Sequence, residues 1–219
     1  SLLNQKNLKI MSDTKTRKGL MLVLSSPSGA GKTSICKKIL GLDRKITMSI
    51  SYTTRTKRRS EKEGLDYFFV SKKKFDDLKK NNFFVEYANV FDNWYGTPKS
   101  FIEENLEKGQ DVIFDIDWQG AQKLSDFSKN DVVSIFILPP SNEALVQRLK
   151  KRAEDSKQTV TKRMSKAKSE ISHWIEYDYV LINNDLDKCS SEIMNILEAE
   201  RKKRNRQKYI FEFIEKLID

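Results

Sequence analysis

The sequence predicts an α/β fold: a parallel-sheet core of the phosphate-loop type flanked by helices, with an inserted mixed α+β lobe and a helical lid. Three observations carry that prediction. An apolar run, Leu20 to Leu24, leads through a glycine-bearing turn into a segment whose apolar residues Ile35, Ile39 and Leu40 recur at helical spacing. A second unbroken apolar run, Val132 to Leu138, has the pattern of a strand buried on both faces. Between them, residues 46–97 hold several short β-prone stretches around one helix, which interrupts the α/β alternation.

The turn after the first strand reads Ser26-Pro27-Ser28-Gly29-Ala30-Gly31-Lys32-Thr33. Strand, glycine-bearing loop and helix start are the context a phosphate-cradling loop needs. Gly29 and Gly31 open backbone conformations closed to other residues, so successive N–H groups can point at an anion beside the helix N-terminus. Lys32 then reaches terminal phosphates, and the Thr33 hydroxyl holds a magnesium ion bridging them. Ser26 stands where the pattern usually opens with glycine, and serine serves there if its backbone angles are ordinary.

Further along, Ile46 to Thr54 alternates as a strand, followed by the basic turn Arg55 to Arg59 and the loop Glu61 to Gly64. Asp66 to Val70 reads as a short strand. Ser71 caps a helix to Lys80, with Phe75 and Leu78 on one face. Phe83 to Val90 and Trp94-Tyr95 are further strands joined at Asp92-Asn93, and Thr97-Pro98 starts a helix with proline in its first turn. The α/β rhythm resumes with a strand at 111–116, a helix at 117–127 and the strand ending at Pro139-Pro140. A helix follows to about Lys151. Arg152 to Thr161 is a polar flap, a helix then runs to about Tyr177, Tyr179 to Ile182 is the last strand, and an amphipathic helix or helix pair closes the chain. The basic run 201–204 reads as a solvated face in preference to a binding surface. The expected organisation is a poorly ordered basic extension at 1–18 and one domain at 19–219. Within that domain the core is 19–45, 98–147 and 176–219, the lobe 46–97 and the lid 148–175.

Forty-one Lys and Arg against thirty-one Asp and Glu leave a net charge of +10, which suits either a nucleic-acid binder or an enzyme of polyanionic nucleotides. No run is long and apolar enough to span a bilayer. Two cysteines, Cys36 and Cys189, make no disulfide framework and point to a reducing cytoplasm. With His173 alone beside them no zinc site is credible, and His173 reads as a surface or packing residue.

A second anion site is written into Ser51, Arg55 and Arg58, where a strand end and its turn bring a hydroxyl and two guanidinium forks together. Tyr67 and Tyr95 supply further hydroxyls. A basic surface turn is the alternative reading of these residues taken alone. Asp115 sits at the end of an apolar strand, where the pattern of P-loop kinases, which this stretch resembles, places an acidic residue near magnesium and its waters.

Several stretches together resemble the guanylate kinase family. These are the Ser25 to Thr33 loop, Ser49 to Arg59, Gly64 to Val70, Phe84 to Phe91, Trp94 to Pro98, Phe114 to Gly120 and Glu176 to Tyr179, over roughly residues 19–200. The resemblance implies reversible transfer of the γ-phosphoryl group of magnesium-ATP to GMP or dGMP, giving ADP and GDP, within purine nucleotide metabolism. It implies ATP contacts from Ser26, Pro27, Ser28, Gly29, Ala30, Gly31, Lys32, Thr33, Ser34, Arg148 and Asn184, with Asp185 near the adenine. It makes Ser51, Arg55, Arg58, Tyr67 and Tyr95 ligands of the GMP phosphate, and Glu86, Thr97 and Asp117 readers of guanine. Carboxylates suit that task because guanine offers two adjacent donors that adenine lacks. Arg148, Arg152 and Arg163 become lid arginines, with Lys32, Arg55, Arg152 and Arg163 acting in catalysis.

The expected partners are these nucleotides alone, with no nucleic acid or membrane, and the protein acts as a monomer or homodimer. Three rivals remain on the sequence: a kinase-like scaffold that binds without catalysis, a basic nucleic-acid-binding ATPase, and a relative acting on another monophosphate or phosphorylated sugar.

Overall fold

Met21–Ser25 forms strand β1, and all five of its residues are buried, as an apolar run covered on both faces requires. The computed structural model describes residues 17–90, 92–152 and 157–218, so residues 1–16 of the expected extension and 153–156 of the expected flap lie outside the described residues. After β1 come helix α1 (Lys32–Leu42), β2 (Ile46–Met48), β3 (Tyr52–Thr53), β4 (Phe68–Phe69), α2 (Lys72–Lys80), β5 (Phe84–Val90) and β6 (Asn93–Pro98). Next are α3 (Lys99–Glu107), β7 (Asp111–Asp115), α4 (Trp118–Ser128), β8 (Val132–Leu138), α5 (Asn142–Arg152), α6 (Lys157–Ile171), β9 (Tyr179–Ile182), α7 (Leu186–Arg201) and α8 (Ile210–Ile218).

Five strands form one parallel sheet in the order β2-β7-β1-β8-β9, with β1 at its centre. Alternate β1 residues feed opposite layers. Leu20, Leu22 and Leu24 pack with Ile35 and Ile39 of α1 and Ile193 and Leu197 of α7, while Met21 and Val23 pack with Ile102, Leu106, Phe114 and Leu124. The second sheet, β4-β3-β6-β5, is smaller and held by rings: Phe75 stacks on Phe84 at 4.6 Å and Tyr52 on Phe68 at 4.7 Å. Ser71 caps α2 as expected, accepting from the Lys74 N–H.

Four expectations change. The alternating run Ile46 to Thr54 is two strands in two sheets, because β2 pairs with β7 and the chain then leaves to pair Tyr52 and Thr53 with β6. The parallel sheet therefore keeps Ile46–Met48, which the sequence assigned to the lobe. Pro98 ends β6 and occupies the N-cap of α3, one residue before its first turn. Part of the flap is helical: α6 begins at Lys157 and is anchored by Ala167, which is buried against Leu145 and Leu149.

The fourth concerns charge. Arg201, read as part of a solvated face, is 6% exposed, and Asp111 is fully buried. The Arg201 Nε donates to Asp111 Oδ2 at 2.8 Å, and the same carboxylate accepts from both terminal nitrogens of Arg17 and from the Leu20 N–H. Arg201 also pairs with Asp43 and Glu198, each at 2.6 Å. Lys18, within the expected extension, is tied to Asp131 at 2.7 Å. A buried carboxylate with this many donors is costly to remove, since its cations are left uncompensated. Asp111→Ala is expected to lower the unfolding free energy by roughly 3–5 kcal/mol, read as a reduced urea midpoint.

Candidate functional site

The turn after β1 has the shape of an anion cradle. Gly29 and Gly31 have φ of 91° and 92°, in the left-handed region that disfavours side chains. A Cβ at Gly31 would stand 2.7 Å from the Asn183 Nδ2, which donates to the Ala30 carbonyl at 2.8 Å and clamps the turn. Gly31 caps α1 without any side-chain hydrogen bond, and the first turn of α1 carries no acidic residue, so no side chain of the helix itself offsets its positive end. Ser26 is not among the positive-φ residues; its backbone is ordinary and it tolerates a Cβ where the pattern usually has glycine.

Side chains close the cradle from the neighbouring strand. Lys32 Nζ lies 2.6 Å from Asp115 Oδ1 and donates to the Ile116 carbonyl at 3.2 Å, while the Thr33 hydroxyl donates to Asp115 Oδ2 at 3.0 Å. A cavity of about 250 Å³ is lined by Ser26, Pro27, Ser28, Lys32, Asp115 and Asp117, among others. Glu170 of α6, which sequence reasoning missed, also lines it and accepts from the Ser28 N–H at 3.2 Å. A hard hydroxyl and a carboxylate side by side suit magnesium, which binds through few protein oxygens and keeps waters or phosphate oxygens as its other ligands. Among the described residues no group of three or more His, Cys, Asp or Glu could hold a metal by itself. Cys36, behind the loop, is no nucleophile, because burial pushes its thiol up to about 12.

A second cavity of about 370 Å³ adjoins the turn and is lined by Gly29, Gly31, Ser34, Arg148, Asn183 and Asn184, among others. The Arg148 Nη1 reaches the Gly29 carbonyl at 3.4 Å. Asp185 is committed elsewhere, capping α7 through the Lys188 N–H. Arg163 is half-buried on α6. Arg152 ends α5, and its side chain lies outside the described residues.

On the smaller sheet the second set of expected residues comes together. Thr53 pairs with Tyr95 across β3 and β6, the Tyr67 and Tyr95 rings meet at 5.8 Å, and the Arg55 guanidinium lies 5.4 Å from the Tyr67 ring centre. Ser51 adjoins them, its carbonyl accepting from the Phe68 N–H. Arg58 is exposed, and its backbone N–H donates to Glu61, a second residue that sequence reasoning passed over. Glu86 and Thr97 face each other across β5 and β6, the Thr97 hydroxyl donating to Glu86 Oε1 at 2.7 Å. Asp117 caps α4 through the Gly120 N–H, and its charge is felt at Glu86. Lys123, also unforeseen, donates to the Tyr87 carbonyl at 3.0 Å and partly offsets the Glu86 charge. His173 is a packing residue as expected, stacked 3.6 Å from Trp118.

Comparison with known proteins follows the same lines. Residues 18–200 match the guanylate kinase family model. The chain is 52% identical over 202 residues to a guanylate kinase of Zymomonas mobilis, covering 92% of this chain and 94% of that protein. It is also 52% identical over 204 residues to one from Paramagnetospirillum magneticum, covering 93% and 95%. Among solved structures, a guanylate kinase from Anaplasma phagocytophilum superposes with a TM-score of 0.72 at 40% identity, covering 92% of this chain and 96% of that one.

The Glu86 carboxyl predicts a pH-dependent stability. Burial raises it above its ordinary 4.5, the Thr97 hydrogen bond and Lys123 pull it back in part, and Asp117 adds to the rise. A group whose folded value is raised favours folding at low pH, and that contribution is lost as pH rises through the folded value. Glu86→Gln keeps the acceptor for Thr97 but sheds the buried charge. It is expected to melt at a higher temperature than the parent at about pH 7, with the gap closing below pH 4.5, as thermal melts across that range would register.

Proposed function

The chain belongs to the guanylate kinase family, and on that premise we propose that its two anion sites hold ATP and GMP for a direct phosphoryl transfer. The observation that carries this reading is the position of Asp117. It lines the cavity at the glycine turn and opens α4, whose Lys123 is bonded to the Tyr87 carbonyl next to Glu86, so one helix joins the two sites.

The N–H groups from Ser28 to Thr33 and the Lys32 ammonium hold the β- and γ-phosphates of ATP, with Arg148, Ser34 and Asn184 alongside. Arg55, Arg58, Ser51, Tyr67 and Tyr95 hold the GMP phosphate, and Glu86, Thr97 and Asp117 read the guanine edge. Thr33 and Asp115, the latter by way of water, would hold magnesium, and the ion would supply positive charge to offset that of the ATP phosphates. An ionised oxygen of the GMP phosphate attacks the γ-phosphorus, the bond to the β–γ bridging oxygen breaks, and GDP and ADP result. The nucleophile is already ionised, so the protein needs no strong base. Its contribution is positioning and stabilisation of shifting charge by Lys32, Arg55, Arg152 and Arg163. Closure of the lid, residues 148–175, excludes water, which would otherwise accept the phosphoryl group.

The reaction is reversible, extends to dGMP and belongs to purine nucleotide metabolism. The working form is a monomer or homodimer without nucleic acid or membrane. No described helix is long and apolar enough to cross a bilayer. A cytoplasmic setting fits the two free, buried cysteines.

A coupled assay with ATP against GMP, dGMP, AMP and UMP tests the assignment. GMP and dGMP are expected to turn over, with AMP disfavoured by roughly 10⁴ because it lacks the two adjacent donors that guanine offers the Glu86 and Asp117 carboxylates. Comparable rates with AMP would remove Glu86 and Asp117 from base reading. Lys32→Ala is expected to lower kcat by about two orders of magnitude or more with an unchanged circular dichroism spectrum. Near-normal turnover in that variant would take the lysine out of the mechanism.

A further inference from the structure

Arg55 and Arg58 are separated by two residues in an exposed basic turn, a setting in which long side chains ordinarily lose their orientation. Here the turn is locked by one carboxylate. Glu61 Oε1 accepts from Arg55 Nη2 at 2.6 Å, and Oε2 accepts from Arg55 Nη1 at 3.2 Å, making a two-pronged pair. Oε2 also accepts from the Arg58 backbone N–H at 2.8 Å, while the Glu61 N–H donates back to the Arg58 carbonyl at 3.1 Å. The pair is well shielded, with 17% of the Arg55 side chain and 13% of the Glu61 side chain exposed.

From this we infer that Glu61 is a positioning residue for phosphate capture, fixing the Arg55 fork and the Arg58 backbone in one geometry before GMP arrives. The inference rests on the reading of Arg55 and Arg58 as ligands of the GMP phosphate. A guanidinium carries five N–H groups. Glu61 takes one from each terminal nitrogen and the Thr56 carbonyl takes another from Nη1, so donors remain for a phosphate. A carboxylate that merely occupied the phosphate position would also meet the Tyr67 and Tyr95 hydroxyls, whereas Glu61 bonds, among the described residues, only the Arg55 fork and the Arg58 backbone. Glu61 is also tied by two reciprocal bonds to Arg58, and a phosphate cannot displace it without opening the turn. The Tyr67 and Phe69 rings, 5.4 and 5.8 Å from the Arg55 guanidinium carbon, back the fork against the sheet.

The test compares the full-length parent with Glu61→Ala, Glu61→Gln and Arg55→Ala. It measures KM for GMP and for ATP, the inhibition constant of guanosine, and the melting temperature. Glu61→Ala is expected to raise KM for GMP by roughly 10–100-fold, the scale of a lost charge-assisted hydrogen bond, with KM for ATP and guanosine inhibition unchanged. Glu61→Gln, which keeps an acceptor for the Arg58 N–H, should recover part of that loss. A lower KM for GMP in Glu61→Ala would mean the carboxylate competes with phosphate, and would overturn the inference. So would a parallel rise for ATP and guanosine with a fallen melting temperature, which marks a general structural role. An unchanged KM for GMP in Glu61→Ala with a raised one in Arg55→Ala rejects the role of Glu61 alone. An unchanged value in both variants rejects the phosphate site itself.

Discussion

The register of β1 against β7 is the constraint on which the site depends. Leu24 lies directly across from Asp115, so the strand that ends in the glycine turn delivers Lys32 and Thr33 beside that carboxylate. A slip of one residue would turn Asp115 to the other face and leave the lysine and threonine without it. The register is held from both sides, because β1 also pairs with β8 through Ser25 and Phe136, and each layer of the core accepts only one set of alternating residues. Parallel strands end on one edge, which explains why Asn183, just beyond β9, is available to clamp the Ala30 carbonyl.

Charge pairing supplies the next level of order. Lys32 is matched by Asp115, Arg55 by Glu61 and the Ser28 amide by Glu170. Each pair holds a long side chain or a loop amide in one arrangement, which reduces the ordering left to be done when a nucleotide binds. The same device acts at the opposite end of the sheet, where Asp111 gathers Arg17, the Leu20 amide and Arg201. There it joins α7 and the entry of the chain to the core, remote from the chemistry.

What the sequence revealed depended on how local each signal was. The glycine turn, the Ser71 cap and the buried strand at 132–138 are legible because neighbouring residues determine them. The Ile46 to Thr54 run misled because a two-residue period records alternation and not which sheet is paired; its switch of partner from β7 to β6 leaves no trace in the pattern. Arg201 looked solvated because its partner Asp111 is 90 residues away. Glu170 and Asn183 were hidden for the same reason, contacting the turn across 142 and 153 residues. Glu61 is different. It lies six residues from Arg55 and was passed over because a glutamate in a charged loop carries no distinguishing pattern until the turn is seen to close.

Strands as short as β3 and β4 cannot order the smaller sheet through their ladder alone. Aromatic packing does so. Phe75, Phe84 and Trp94 form a stack beneath the sheet, and Gly96 is required because a Cβ there would stand 2.9 Å from the Phe84 ring and 3.1 Å from that of Phe75. Arg55, Tyr67, Tyr95, Glu86 and Thr97 are thereby held on one body, so their mutual spacing is set inside this sheet. The remaining relation, between that body and the glycine turn, runs through α4. Asp117 opens this helix beside Lys32 and Thr33, and Lys123, on the same helix, is bonded to the Tyr87 carbonyl of β5. On the proposed assignment, base recognition and alignment for transfer use the same seam, which gives a physical reason for a core residue, Asp117, to act together with Glu86 on the smaller sheet.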